Sequence, residues 1–468
     1  MEAKIEDEFL FADFFDKRLN ERSKKLLKLF YDNTSKSIPE SCKGRSEIEA
    51  AYRFFGNDQV NSERILKPHI AATIERIKKQ KFVLFIQDST DINEKHMETV
   101  EGLGFINDTT NPGCISHTMI ACTADRLCLG IVSNEFIIRE KDTIENKIKE
   151  NKEKEKWKNK NKLIEKKESY KWIKAYKDGL EIAKKTPETE FVCIADREAD
   201  IYELFLEVQR TKNRIPLLIR AFQDRTIELS KNDQRIKTKI KKASSELRSI
   251  GEIQFTLPKR GSKKSRLIKQ SIKTSSIIIK PPKWKSKLEA IKIQLLIMEE
   301  IDVPKDEEAI CWLLLTTLPL STMEDAKFTI NLYLSRWSIE TFFHVLKTGC
   351  KIEKLQFKSS HKLLNCVSLF MIIAWRVLFV TFLGRNCPEL PCTIIFTEDE
   401  WQAVYAVIKK EKPPAVPPNL KEVTIMIATL GGFLNRKCDK DPGPKVMWKG
   451  LQALYNCTQG WLAFKNFG

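Results

Sequence analysis

Twelve cysteines are scattered along 468 residues without one Cys-x-x-Cys pair, and the five histidines, at 69, 96, 117, 344 and 361, share no ligand spacing. A zinc framework therefore lacks its donors, and the thiols read as reduced and mostly buried. The nearest pair, Cys387 and Cys392 in "CPELPC", has no second pair or histidine beside it. The opening "MEAKIEDEFLFADFF" is acidic and lacks the charge and apolar run of a signal peptide, so secretion is not expected. Long apolar runs are equally scarce. One span, "LLNCVSLFMIIAWRVLFVTFLG" at 363–384, hints at a membrane helix, but Asn365 and Arg376 interrupt it and there is no second span after it. A buried core helix is the expectation, with no membrane partner.

What the chain has in excess is positive charge. Lys and Arg number 81 against 63 Asp and Glu, a net +18, while 42% hydrophobic and 31% charged residues describe a soluble globular chain of two or three domains. A basic balance of that size suggests a polyanionic partner, most often nucleic acid.

The first sixty residues read as short cationic helices. Arg18, Arg22, Lys24, Lys25, Lys36, Lys43, Arg45 and Arg53 make a surface suited to phosphate contacts. Ser62 is the expected cap of the next helix, which contains Pro68. "FVLFIQDST" then gives a buried strand ending on Asp88, and "SHTMIACTA" and "LCLGIVSNEFII" give two more strands. A lysine-glutamate tract at 146–168 reads as an exposed helix or loop. "FVCIADREAD" gives another buried strand, Phe191 to Ala195, with Asp196 just past its end. From about 212 to 318 the pattern is strand-like and basic, closing on the buried "AICWLLLTTLP". A Pro-rich stretch and tryptophan-bearing helical segments complete the chain.

"NLYLSRWSIETFFHVLKTG" (331–349) fits an amphipathic helix. With Tyr333 at zero, Arg336, Glu340 and Lys347 fall at about −60°, −20° and −40°, on one stripe opposite Leu334, Ile339, Phe342, Val345 and Leu346. Such a stripe is either a solvated charged face or a site. Two strands that end on Asp88 and Asp196, with a helix presenting Glu340, are what a two-metal carboxylate site needs, and Arg336 and Lys347 would orient phosphates. Aspartate after an apolar strand also serves as a loop or cap residue, so spacing alone leaves both readings open.

The spacing Tyr333-x2-Arg336-x3-Glu340-x6-Lys347 resembles the YREK signature of the DDE cut-and-paste transposases of the IS-four superfamily, the group that includes the Tn-five transposase. "QDST", "ADREAD", "AYRF", "WLLLT", "RWSIE", "KTG" and "LGGF" match that family as well, in order along most of the chain. The resemblance implies an α/β, RNase H-like catalytic core at 62–384, interrupted by a β-rich insertion at about 212–318. Around it would lie a helical DNA-end-binding domain at 1–61 and a helical dimerisation domain at 385–468.

It further implies that Asp88, Asp196 and Glu340 are catalytic and bind two Mg²⁺ ions, for which Mn²⁺ can substitute. Water would free a 3′-hydroxyl at the element's end, a hairpin would form and open, and the 3′-hydroxyl would attack target DNA. Trp312 would stack on a flipped base, Tyr333, Arg336 and Lys347 would hold the adjacent phosphate, and Arg53 and Arg220 would contact DNA. Phe222 stands where the family commonly has a lysine. The implied partners are double-stranded DNA and a second copy of the chain, with Trp448 and Trp461 marking the interface. The implied location is the bacterial cytoplasm, at the nucleoid. His344 reads as a polar neighbour of DNA. Two competing readings remain, a hydrolysis-only nuclease of the same fold and a catalytically inactive DNA-binding regulator of transposition.

Overall fold

Caps and apolar spacing agree along the N-terminal cationic stretch, and helices result. The computed structural model describes residues 4–93, 100–106, 112–139, 162–231, 234–257, 265–282, 285, 287–305 and 307–467. The Asp16 side chain accepts from the Arg18 N–H to cap α1 (Lys17–Asp32), which buries Leu26, Leu27 and Phe30. A Ser37–Glu40 capping box opens the single turn α2 (Ile38–Ser41), and α3 (Arg45–Phe55) buries Ala51, Phe54 and Phe55. α4 (Ser62–Ile77) contains the buried Pro68, and its cap is Asn61, not Ser62. The Asn61 amide oxygen accepts from the Arg64 N–H, so the better acceptor one residue earlier takes the position.

β1 (Phe82–Asn93), β2 (Gly104–Phe105), β3 (Pro112–Cys122) and β4 (Cys128–Ile137) come next. Then come α5 (Tyr170–Lys185), β5 (Glu190–Ala195), α6 (Tyr202–Arg210), β6 (Leu217–Arg220), β7 (Thr226–Lys231), β8 (Gln234–Lys239) and the single turn α7 (Ala243–Glu246). β9 (Gly251–Leu257), β10 (Arg266–Ile279), β11 (Ile291–Ile301), β12 (Cys311–Thr316) and α8 (Met323–Leu334) lead to α9 (Trp337–His344), α10 (Ser360–Asn386), α11 (Glu398–Lys409), α12 (Leu420–Leu430) and α13 (Pro444–Phe467).

The chain forms two units. A strand-rich unit comprises Lys81–Asp88 and Lys152–Trp337. A helix-rich unit comprises Met1–Gln80, Ser89–Asn151 and Ser338–Gly468.

In the strand-rich unit the order is β1-β5-β6-β12-β11-β10-β7-β8, with β9 also on β10. β1, β5 and β6 run parallel, joined by connections that carry α5 and α6, and the remaining pairs are antiparallel. Parallel strands covered on both faces need continuous apolar runs, which is why "FVLFI" and "FVCIA" do not alternate. β7 to β11 are inserted in the chain between β6 and β12, which are themselves neighbours, and they extend the sheet beyond β12.

In the helix-rich unit α10 is the core. It is long and apolar enough to cross a membrane, with a mean hydropathy of 2.3 in its most apolar window, yet 89% of that window is buried. Trp375 on it donates from Nε1 to the Cys128 carbonyl, 2.9 Å away. At the C-terminal end α12 and α13 cross closely. A Cβ at Gly431 would stand 1.9 Å from the Val446 carbonyl oxygen, and one at Gly450 would stand 2.0 Å from that of Ile427, so both positions require glycine.

A buried polar group ties the N-terminal segment to this unit. Glu8 accepts from the Arg76 guanidinium at 2.7 and 3.1 Å and lies 2.5 Å from His69 Nδ1. The Ile131 N–H donates to His69 Nε2, so the ring proton sits on Nδ1 and is given to Glu8. Burial alone would raise the Glu8 pKa, but His69 and Arg76 outweigh it and bring it from 4.5 down to about 2. Because the folded value is depressed, the stabilisation is complete above the unfolded value of 4.5 and is lost as pH falls toward 2. Glu8→Ala should cost about 3–5 kcal/mol by removing the buried carboxylate that Arg76 and His69 share. Urea unfolding at neutral pH should show the lowered midpoint, with the gap to the parent narrowing in acid.

Candidate active site

Three parallel strands of the strand-rich unit run in step. Gln87 of β1 pairs with Ala195 of β5, and Ala195 pairs with Ile219 of β6. The next residues are Asp88, Asp196 and Arg220. Two acids and a cation therefore directly follow the last mutually paired positions of three adjacent strands, at the end of a parallel sheet where ligands are commonly bound. Asp196 lies just beyond β5 as expected. β1, however, does not end on Asp88 but runs on to Asn93, and what stops at Gln87 is its pairing with β5.

Each carboxylate is held. Arg336 Nη1 donates to Asp88 Oδ2 at 3.2 Å, with both side chains largely buried. Asp196 Oδ1 accepts from the Glu198 N–H at 2.8 Å and caps the turn Arg197–Ala199, so the cap role foreseen as an alternative is filled by the same side chain. Asp200, the second aspartate of "ADREAD", escaped the sequence reading. It is 4% exposed, accepts from the N–H groups of Phe222 and Gln223 at 2.9 and 2.7 Å, and pairs with Arg225 at 2.6 Å. It thereby pins the loop beyond Arg220.

An aromatic and cationic cluster lies in the same unit. Trp312 on β12 meets Tyr333 of α8 edge-on, with ring centroids 5.7 Å apart, and the Arg220 guanidinium is 5.7 Å from the Trp312 centroid. The pairing of Leu314 with Arg220 explains this, because Trp312 lies two residues from Leu314 on the same face. Tyr333 is 4% exposed rather than on an open polar stripe. Burial pushes its hydroxyl up to about 12 against the opposing pull of Arg336 and Arg220, so it stays a hydrogen-bond donor at neutral pH. Trp312 also lines an apolar cavity of about 550 Å³ with Ile253, Phe255, Met298, Ile310 and Leu334. Phe222 is exposed, with the Arg197 guanidinium 5.6 Å from its ring centroid, so a cation reaches that position from another element.

The segment 331–349 is not one uniform helix. α8 ends at Leu334, and the N–H groups of Ser335 and Arg336 bond the carbonyls of Leu332 and Tyr333, three residues back. Ser335 Oγ also bonds the Asn331 carbonyl, a competition with the backbone that favours a break there. α9 comes next, then a π-helical turn over Val345–Gly349. Glu340 on α9 and Lys347 in the π turn are half-buried and belong to the helix-rich unit. Lys347 Nζ is 3.3 Å from Glu353 Oε1, which also accepts from the Asn93 N–H at 3.2 Å. Glu353 had no signal in the sequence beyond being one acid among many.

The remaining candidates lie in the helix-rich unit. Arg22 is partly exposed on α1, and Arg53 is exposed on α3 with Nε 3.3 Å from the Glu49 carbonyl. His344 touches Thr348 and Trp448. Trp448 is 3% exposed and packed inside its unit, so it is not an interface anchor, while Trp461 is partly exposed. His96 and residues 146–161 of the lysine-rich tract lie outside the described residues. Among the described residues no three His, Cys, Asp or Glu side chains form a ready metal cluster. The donor chemistry nonetheless suits a hard cation, because Asp88 and Asp196 offer carboxylate oxygens at the ends of two paired strand segments.

Three family models match consecutive stretches of the chain. Residues 1–60 match a transposase DNA-binding domain, 135–375 a transposase DDE domain, and 372–464 the Tn5 transposase dimerisation domain. The DDE match alone covers more than half of the sequence. The chain is a DDE transposase. The transposase thus combines an RNase H-like α/β core with a helical DNA-binding region before it and a helical dimerisation region after it, and its family works with divalent metal ions. Among solved structures it is similar to a piggyBac transposase described as a synaptic complex with hairpin DNA, at 8% identity and a TM-score of 0.37, covering 98% of this chain and 73% of that one. A likeness that distant carries no weight for the site.

Asp200→Ala should lower stability by about 3–5 kcal/mol, because it strands the largely buried Arg225 and frees two N–H groups of the loop. Asp200→Asn keeps an acceptor for those groups and should lose less. Urea midpoints of the two variants compared with the parent measure the difference.

Proposed function

We propose that the transposase is the cut-and-paste enzyme of a bacterial insertion sequence, acting on nucleoid DNA in the cytoplasm as a homodimer that grips the element's terminal repeats. The observation that carries this reading is that Asp88, Asp196 and Arg220 each directly follow the last mutually paired positions of β1, β5 and β6, with Arg336 on Asp88. The DNA contacts fall to Arg22 and Arg53 at the ends, and to Arg220, Trp312, Tyr333, Arg336 and Lys347 near the scissile phosphate.

Asp88, Asp196 and Glu340 are the carboxylates that would hold two Mg²⁺ ions, for which Mn²⁺ can substitute. When bound, the ions activate the attacking oxygen and stabilise the leaving one. The protein's own residues do the positioning. Arg336 and Lys347 neutralise phosphate oxygens, and Arg336 keeps Asp88 oriented. Tyr333, protonated at neutral pH, donates to the same phosphate group. Water attack frees the 3′-hydroxyl, that hydroxyl attacks the opposite strand to form a hairpin, a second water opens it, and the 3′-hydroxyl then attacks target DNA. All four steps are in-line displacements at phosphorus, so one site serves them. Hairpin closure forces a base out of the stack. Trp312, with the apolar cavity it lines, offers a surface for that base.

Purified protein incubated with labelled DNA bearing the element's own ends should give hairpins on a denaturing gel with Mg²⁺ and none with EDTA. Glu340→Ala should keep end binding and lose all cleavage. Hydrolysis without hairpins would identify the nuclease reading, and binding without cleavage the regulator.

A further inference from the structure

The π turn that carries Lys347 is held from the dimerisation region. Its wide bond is visible as the Cys350 N–H donating to the Val345 carbonyl at 2.9 Å, five residues back. π turns inside helices store a local irregularity that needs outside support and recur at functional sites. Here two supports converge on Gly349. Ser35 Oγ donates to its carbonyl at 3.0 Å, and the six-membered ring of Trp448 lies over its Cα. A Cβ at Gly349 would stand 3.1 Å from both Cδ2 and Cε3 of that ring. The backbone there does not demand glycine by its φ angle, so the close ring is the reason for the residue. Trp448 also meets His344, with ring centroids 5.6 Å apart, and so touches the residues on both sides of the turn.

Trp448 is itself fixed. It sits on α13 between Val446 and Gly450, where the Gly431 and Gly450 contacts lock α13 onto α12. All of these groups lie in the helix-rich unit. A rigid path therefore runs from the α12–α13 crossing through Trp448 to Gly349 and the turn that aims Lys347.

We propose that Trp448 is a positioning residue, tying the aim of Lys347 to the packing of the dimerisation helices. The inference rests on the reading of Lys347 as a phosphate ligand. It gives the dimerisation region a second task, since a displacement of α13 would move the lysine along with the helix.

The test uses the full-length protein with end DNA, measuring end affinity without metal and the single-turnover rate of first-strand cleavage with Mg²⁺. Gly349→Ala should leave affinity unchanged and slow cleavage about 10- to 100-fold, the cost of a small misplacement. Trp448→Ala, which removes the crowding ring atoms, should restore the rate in the Gly349→Ala background. In a Lys347→Ala background Gly349→Ala should add nothing, because both act through one side chain. A wild-type rate for Gly349→Ala, no rescue by Trp448→Ala in a folded double variant, or an undiminished effect without Lys347 would each overturn the proposal. Wild-type cleavage by Lys347→Ala would instead remove Lys347 from the site and take the underlying reading with it.

Discussion

The register of three parallel strands is the constraint on which the candidate site depends. Because Gln87, Ala195 and Ile219 lie opposite one another, Asp88, Asp196 and Arg220 directly follow the last mutually paired positions of three adjacent strands without any loop having to place them. A slip of one residue in either pairing would turn a side chain to the opposite face. The apolar runs that feed these strands therefore do more than fill a core, since their burial on both sides fixes where the charged residues emerge. Arg336 completes the arrangement by pairing with Asp88, so two like charges on adjacent strands are offset by a guanidinium and by Arg220.

Much of this was legible in the chain. Buried strands announced themselves as unbroken apolar runs, α10 as a long apolar span with polar interruptions, and Asp196 as a residue next to a strand end, whereas Asp88 lies within the longer β1. Register was not legible, because nothing in "FVLFIQD" or "FVCIAD" says which residues face each other. A helical wheel for 331–349 fails for a local reason. It assumes a constant turn angle, whereas Ser335 breaks the helix and the residues from Val345 widen it. Asn61 displaced Ser62 as a cap through a one-residue ambiguity that composition does not resolve.

A misreading and an omission share a cause. Trp448 looked like an interface anchor because aromatics are favoured at such contacts, yet its ring fills the space that Gly349 leaves. Asp200 drew no reading at all, yet it is buried and organises the loop after β6. In both cases the deciding fact is a long-range partner, which sequence proximity conceals. Phe222 shows the reverse. A missing lysine suggested a lost contact, while Arg197 brings a guanidinium to the same ring from a different element.

The wide turn at Val345–Gly349 leaves the phase of the chain beyond it unchanged. A π turn accommodates one residue more than an α turn over a similar rise, so it acts as an insertion already absorbed by the fold. Deleting a residue there would let the segment relax to an ordinary α-helix while the downstream residues keep their phase relative to α9. Cys350 and Ile352, both buried, would then stay in the core. The extra residue is thus needed for the shape of the turn that carries Lys347 rather than for the packing beyond it.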